Sequence, residues 1–317
     1  MTQGSLTVGL AQIAPIWLHR DATLAKVIDW IEKAAAQGCQ LVAFGEALVP
    51  GYPFWVERTG GAKFESELQK TLYAHYVTQA VSIDDGDLEQ VCKVAAKNKI
   101  AIYLGVVERA GDRGGHSLYC SMVYIDANGN IDSVHRKLMP THEERLVWAI
   151  GDGNGLRTHR LGPFTVGGLN CWENWLPLAR ASLYAQGEDL HVAIWPGSQR
   201  NTEEITRFVA RESRSFVVSV SGVMTRDDIG PDLPAADILR DTADEVMANG
   251  GSCVALPSGE WLLEPEIGRE SLRVAELEHQ IVLEERHSLD VAGHYSRPDV
   301  TRLIVNRKRQ TTAEFDD

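Results

Sequence analysis

Residues 5–15 alternate, with Leu6, Val8, Leu10 and Gln12 on one side, as in a strand that opens the fold. Leu24, Val27, Ile28, Ile31, Ala34 and Ala35 then recur at i, i+3, i+4, i+7, i+10 and i+11, one face of an amphipathic helix. Asp21 is the expected N-cap and Gly38 the stop. Leu41-Val-Ala-Phe44 is a short apolar run, read as a buried strand ending at Gly45-Glu46. Pro50, Gly51, Tyr52 and Pro53 break regular structure. Residues 56–84 read as a helical insertion with loops. Leu88 to Asn98 is a second amphipathic helix, with Val91, Val94 and Ala95 inward, and Ile100 to Val107 a strand. Leu118 to Ile125 and Ile131 to His135 flank Asp126-Ala-Asn-Gly-Asn130, a hairpin with a strong Asn-Gly turn signal.

The order returns in the second half. Phe164 to Asn170 predicts a strand, 175–187 a helix, His191 to Trp195 a strand, 203–215 a helix, and Val217 to Val223 and Gly251 to Leu256 strands. A turn at Pro257-Ser-Gly259 leads into one more strand. Residues 226–249 carry Asp and Pro with little periodicity and read as a surface loop. Two rounds of helix and strand with antiparallel hairpins predict two stacked sheets with helices outside. The expected organisation is one domain over 1–285 and a polar tail over 286–317.

Composition narrows the partners. The chain has 317 residues and a net charge of −13, which argues against nucleic acid and anionic membranes. No apolar run approaches the roughly 20 residues of a membrane helix, and the N-terminus lacks a signal-peptide pattern. Five scattered cysteines (Cys39, Cys92, Cys120, Cys171, Cys253) without a CxxC pair read as reduced thiols in a cytoplasmic protein.

Three ionisable residues fall at the ends of apolar strands: Glu46, Lys137 and Cys171. A carboxylate there is costly unless paired or used. Cys171 sits between a strand and a helical pattern, where free backbone N–H groups and the helix dipole are expected to lower a thiol pKa. Taken alone it reads equally as a small buried apolar residue. Lys137 alone reads as a surface lysine, but Glu143-Glu144-Arg145 follows closely and offers a carboxylate to hold it. A thiol, a carboxylate and an ammonium together supply a nucleophile, a base and an electrostatic clamp.

Phe44-Gly-Glu46-Ala-Leu-Val-Pro-Gly-Tyr-Pro53, the run from His135 to Trp148, and Leu169-Asn-Cys171-Trp-Glu-Asn174 resemble the three signature blocks of the nitrilase (carbon–nitrogen hydrolase) superfamily, and its true nitrilase branch most. His191-Val-Ala-Ile-Trp-Pro196 and Gly293-His-Tyr-Ser-Arg-Pro298 are similar to two further segments. The resemblance implies a four-layer α-β-β-α sandwich, with Cys171 as nucleophile, Glu46 as general base and Lys137 stabilising the tetrahedral intermediate. Glu144 fits the second glutamate, with Glu143 adjacent. The family usually has Pro before the catalytic Glu; here it is Gly45, which allows more backbone freedom.

The implied activity is hydrolysis of a small-molecule nitrile to acid and ammonia, with a minor amide, and without cofactor or metal. Tyr52, His142, Trp172, Trp195 and Pro196 are the expected substrate-binding residues. Rival readings are an amidase or carbamoylase of the same superfamily, a nitrile-to-amide hydratase, and a non-catalytic filament-forming scaffold. A papain-like reading lacks a local signature around Cys171. A zinc site lacks ligand spacing. Gly151-Asp-Gly-Asn-Gly155 lacks the Gly-Lys-Ser/Thr end of a phosphate loop. Leu176, Leu178, Leu183 and Tyr184 offer apolar area for a homo-oligomer, with the tail packing across a partner. The resemblance implies dimers that extend into a spiral or filament.

Overall fold

The computed structural model describes residues 4–313. In the first half β1 (Ser5–Gln12), β2 (Leu41–Phe44) and β3 (Ala101–Arg109) run parallel, and β4 (Leu118–Ile125) and β5 (Ile131–Arg136) continue antiparallel. Between these strands lie α1 (Arg20–Ala36), the short α2 (Trp55–Arg58), α3 (Glu67–Gln79) and α4 (Glu89–Asn98). In the second half β6 (His159–Leu161) pairs antiparallel with β7 (Phe164–Asn170). Then α5 (Pro177–Tyr184), β8 (Leu190–Trp195), α6 (Gln199–Ser213) and β9 (Phe216–Ser221) follow, with β7, β8 and β9 parallel. β10 (Val223–Thr225), α7 (Ala236–Thr242), β11 (Val246–Ala255), β12 (Trp261–Ile267), β13 (Ser271–Glu278) and α8 (His279–Arg286) complete the chain of elements.

The sheets are ordered β13-β1-β2-β3-β4-β5 and β10-β11-β9-β8-β7-β6, with β12 also on β11. Each is built on three adjacent parallel strands, β1–β3 in one and β7–β9 in the other, flanked on both sides by antiparallel strands, so the repeated order in the sequence is a repeated central topology. Side chains alternate across each strand. Leu6, Val8, Leu10, Ala101 and Tyr103 meet Phe164, Val166, Val192 and Val218 in the core between the sheets. On the opposite face Val42, Phe44, Ile102 and Leu104 pack on Val27, Ile31, Val91 and Ala95 of α1 and α4. Ala193, Trp195 and Val217 pack on Ile205 and Val209 of α6. The result is the α-β-β-α sandwich.

Several local readings change. α1 starts at Arg20 behind His19, so Asp21 lies in its first turn rather than at the cap. The helix expected over 175–187 is Pro177–Tyr184, because a separate tight turn occupies 171–175 and Pro177 suits the first helical position. The helix expected over 203–215 begins earlier, at Gln199. The loop expected over 226–249 contains α7 and the start of β11; seven residues are too few to show a helical period. Strand β13, on the far side of β1 from β2, pairs Ser5 with Glu278 and Gln12 with Ser271 and closes the first sheet with late sequence.

Of the apolar residues expected on the outside of α5, Leu183 and Tyr184 are buried within this chain, while Leu176 and Leu178 are exposed beside exposed Trp172 and Trp175. From Ser288 to Ala313 there is no regular element. This segment returns to its own chain: Arg309 Nη1 and the Gln310 N–H donate to Asp152 at 3.0 Å each, and Asn154 Nδ2 donates to the Arg307 carbonyl at 3.0 Å. Among the described residues no helix is long and apolar enough to cross a membrane.

Candidate active site

The ends of β2, β5 and β7 converge, and each delivers one ionisable side chain. Glu46 lies two residues beyond β2. Its N–H donates to the Trp195 carbonyl at 3.1 Å. A Cβ on Gly45 would stand 3.0 Å from that same oxygen and 3.1 Å from the Gly222 nitrogen. The backbone here is therefore held by the end of β8 and the β9–β10 turn, and the freedom glycine allows is not realised. Gly105 of β3 matters equally, since a Cβ there would come within 2.1 Å of the Gly45 carbonyl.

Lys137 continues the β4–β5 ladder by one residue, its N–H donating to the Cys120 carbonyl at 2.7 Å. Its buried Nζ lies 2.9 Å from Glu46 Oε1 and 2.7 Å from Glu144 Oε2. It also stands 5.7 Å from the centre of the Trp148 ring. Glu144 sits in a short turn over His142–Leu146, where its Oε2 accepts from the Thr141 N–H at 2.6 Å and its Oε1 from the Tyr52 hydroxyl at 2.9 Å. Of the adjacent pair, Glu144 is the carboxylate that meets Lys137; Glu143 pairs with exposed His142.

Cys171 opens the turn that follows β7. It is a non-glycine residue at φ 47°, a conformation that surrounding structure must hold. Two neighbours do so. Buried Glu173 accepts from the Asn170 N–H at 2.9 Å through Oε2 and from the Leu138 N–H at 2.5 Å through Oε1, and His135 Nε2 lies 3.0 Å from Oε2. It thus ties the cysteine turn to the segment carrying Lys137. Asn174 Nδ2 donates to the Cys171 carbonyl at 2.7 Å, while its Oδ1 lies 2.7 Å from His191 Nε2; Glu188 Oε1 lies 2.9 Å from the other ring nitrogen.

Atoms of Glu46, Glu144 and Cys171 that are able to bind a cation lie within 4.8 Å of one another. The Lys137 ammonium already fills that role between the carboxylates. Burial pushes the Glu46 carboxyl up to about 7, with Glu144 adding to the rise and Lys137 opposing it. Burial would push Lys137 down, but the Cys171 sulfur and the two carboxylates more than offset this and hold it charged. Burial, with Glu46 and Glu144 adding, pushes the Cys171 thiol well above the ordinary range; Lys137 and the Trp172 N–H only oppose this. The expected lowering by a helix dipole is therefore not found. The element after Cys171 is a five-residue turn, and desolvation beside two carboxylates outweighs it.

Tyr52 and Pro196 line a narrow cavity of about 20 Å³ together with Gly45, Glu46, Phe54 and Met224. Trp195 is wholly buried, in one apolar cluster with Cys171, and its indole N–H donates to Ser219 Oγ at 3.4 Å. His142 and Trp172 are exposed, the latter with its ring 6.4 Å from that of Trp175. Cys120, Glu173, Asn174 and His191 were not singled out as site residues from the sequence. For Glu173 and Asn174 a signal existed, two and three positions after the cysteine.

The sequence model of the carbon–nitrogen hydrolase family matches residues 7–283. The chain is 34% identical over 316 residues to nitrilase 2 from an unknown prokaryotic organism, covering 99% of this chain and 96% of that one. It is also 34% identical to an aliphatic nitrilase from Rhodococcus rhodochrous, covering 98% and 82%. Among solved structures, a carbon–nitrogen hydrolase from Helicobacter pylori G27 superposes with a TM-score of 0.68 at 20% identity, covering 91% and 94%. This chain belongs to the carbon–nitrogen hydrolase family.

Proposed function

We propose that the protein is a nitrilase that converts a small nitrile to the carboxylic acid and ammonia through a covalent bond to Cys171. The observation that carries the reading is one buried cluster holding a thiol, two carboxylates and an ammonium, with Lys137 Nζ 2.9 and 2.7 Å from Glu46 and Glu144. The full-length likeness to proteins named nitrilases supports it.

A carboxyl near 7 beside a protonated thiol suits a base that takes the thiol proton only as the nucleophile attacks. Sulfur adds to the nitrile carbon, the nitrogen takes the proton, and a thioimidate forms. Glu46 then removes a proton from water as its oxygen adds to the same carbon. Lys137 donates to the oxygen of the tetrahedral species. Loss of ammonia leaves a thioester, and a second water releases the acid and restores the thiol. If sulfur leaves first, the amide is released instead. Each tenfold change in that ratio takes about 1.4 kcal/mol, so a minor amide is expected. Glu144 holds Lys137 between the carboxylates, and Tyr52 and Pro196 are the expected substrate contacts at the cavity. His142, Trp172 and Trp195 belong to the expected substrate set but do not line that cavity: the first two are exposed and Trp195 is buried against Ser219.

The test is a panel of aliphatic and aromatic nitriles and their amides, with ammonia, acid and amide quantified. Acid and ammonia from nitriles support the reading. Turnover of amides alone would make the protein an amidase or carbamoylase, amide as the dominant product a hydratase, and no turnover a scaffold.

We further propose that residues 1–285 form the hydrolase unit, that the exposed strip Trp172, Trp175, Leu176 and Leu178 joins copies into a homo-oligomer of dimers, and that the segment from 286 contributes to that contact. A spiral or filament is the extended form of the same assembly. Sedimentation at micromolar concentration should show species well above the 35.0 kDa chain; a monomer alone would refute this. A cytoplasmic location suits five free cysteines, and fractionation of the source cells would test it.

A further inference from the structure

Cys120 is a second thiol in the cluster, and the reaction as described gives it no task. It lies on β4, is 1% exposed, and its sulfur is 3.3 Å from Glu46 Oε1, to which it donates. Burial and the Glu46 carboxylate push its own thiol well above the ordinary range, so it keeps its proton and remains a donor. Lys137 Nζ contacts the same oxygen at 2.9 Å. Both donors thus fall on Oε1, while buried Oε2 has no partner among the described residues. Glu46 also lines the narrow cavity shared with Tyr52, Phe54 and Pro196.

We infer that Cys120 is a positioning residue for the proposed base: its thiol and Lys137 hold Glu46 by Oε1, so that Oε2 is the oxygen that takes and returns protons. A carboxyl gripped at one oxygen cannot rotate that oxygen into the reaction space, and its free lone pairs stay where a thiol or water proton is transferred. The donor also favours the ionised carboxyl over the protonated one. The inference rests on Glu46 being the base.

The groups facing Glu46 are Lys137 beyond β5, Glu144 in its turn, Cys171 after β7, Tyr52 in the loop after β2, Tyr76 on α3, and Cys120. Buried Tyr76 is likewise outside the reaction scheme, but its hydroxyl donates to the Gly51 carbonyl at 3.0 Å; Cys120 donates to Glu46 itself, so its replacement removes that donor.

The test is the pH profile of kcat/KM for the wild type, Cys120→Ala and Cys120→Ser, with Glu46→Gln as control. The acid limb of the wild type reports ionisation of Glu46 in the free enzyme. Losing the donor in Cys120→Ala is expected to move that limb upward by about 0.5–1 pH unit, the scale of one weak hydrogen bond to a carboxylate. Cys120→Ser keeps a donor of similar size and should retain the wild-type limb. Thermal melts of both variants separate misfolding from mispositioning, and Ser carries the test if Ala fails to fold: its limb must then stay near wild type. A limb that does not move in folded Cys120→Ala, or one that moves upward in both variants, overturns the inference while leaving Glu46 as base. Full activity in Glu46→Gln overturns both.

Discussion

Replacing Glu46 with glutamine removes one negative charge from a cluster that holds two carboxylates around one ammonium. The Glu46 carboxyl stands at about 7 in the folded chain, against 4.5 for an ordinary glutamate. A carboxyl whose folded value is raised binds its proton more tightly folded than unfolded. Its contribution to stability is intact below about 4.5 and is lost as pH rises through about 7. At about 1.36 kcal/mol per pH unit, a carboxyl raised to about 7 makes the ionised group cost the fold on the order of 3 kcal/mol above neutrality. Glutamine resembles the protonated carboxyl in shape and never ionises. Lys137 keeps Glu144 as its counter-charge at 2.7 Å. Glu46→Gln is therefore expected to be more stable than the wild type at pH 8, by up to that amount and by several degrees in Tm. The margin should shrink toward nothing as pH falls to 4.5. The same variant should lose about 10²–10⁴ in rate. Circular-dichroism melts of both proteins at several pH values between 5 and 8 make the measurement. A variant less stable than the wild type at pH 8, or a margin that does not change with pH, would refute the reasoning.

Lys137→Ala leaves Glu46 and Glu144 buried without a cation, so denaturant titration should show a loss of about 3–5 kcal/mol, and steady-state kinetics a loss of about 10²–10³ in rate. Lys137→Arg should not restore the rate, since a planar guanidinium is not a compact ammonium; near wild-type turnover in either variant would remove Lys137 from the mechanism. Glu173→Gln turns an amide NH2 toward the Leu138 or Asn170 N–H, both of which now donate to the carboxylate. It should destabilise by about 1–3 kcal/mol and lower kcat, because the Cys171 turn and the lysine segment hang on it; unchanged stability and kcat would show that the clamp is dispensable.

Where a short apolar run ended in an ionisable residue, the sequence was informative. Leu41–Phe44 is a buried strand, and Glu46 lies just past it. The Asn128-Gly129 signal marks the β4–β5 hairpin that delivers Lys137. What eluded the sequence depends on register and burial. Cys120 reaches Glu46 because Ser121 pairs with Arg136, which sets Cys120 beside Lys137; no period along the chain encodes that pairing. The Cys171 thiol is pushed up rather than down, because the apolar pattern announces a helix but not the five-residue turn before it, nor the two carboxylates brought beside the thiol by distant segments. His142, two residues before Glu144, turns outward at φ 44° and pairs with Glu143. Helix α7 is too short for its period to stand out from the Asp- and Pro-containing stretch around it.

The proposed reaction stands or falls on a covalent bond between Cys171 and the substrate. Quenched turnover with a nitrile, followed by digestion and mass spectrometry, tests it most directly. An acyl or imidoyl mass is expected on the peptide holding Cys171, absent in a folded Cys171→Ala variant that also has no turnover. An adduct on Cys39, Cys92, Cys120 or Cys253 instead, or turnover that survives Cys171→Ala, would contradict it.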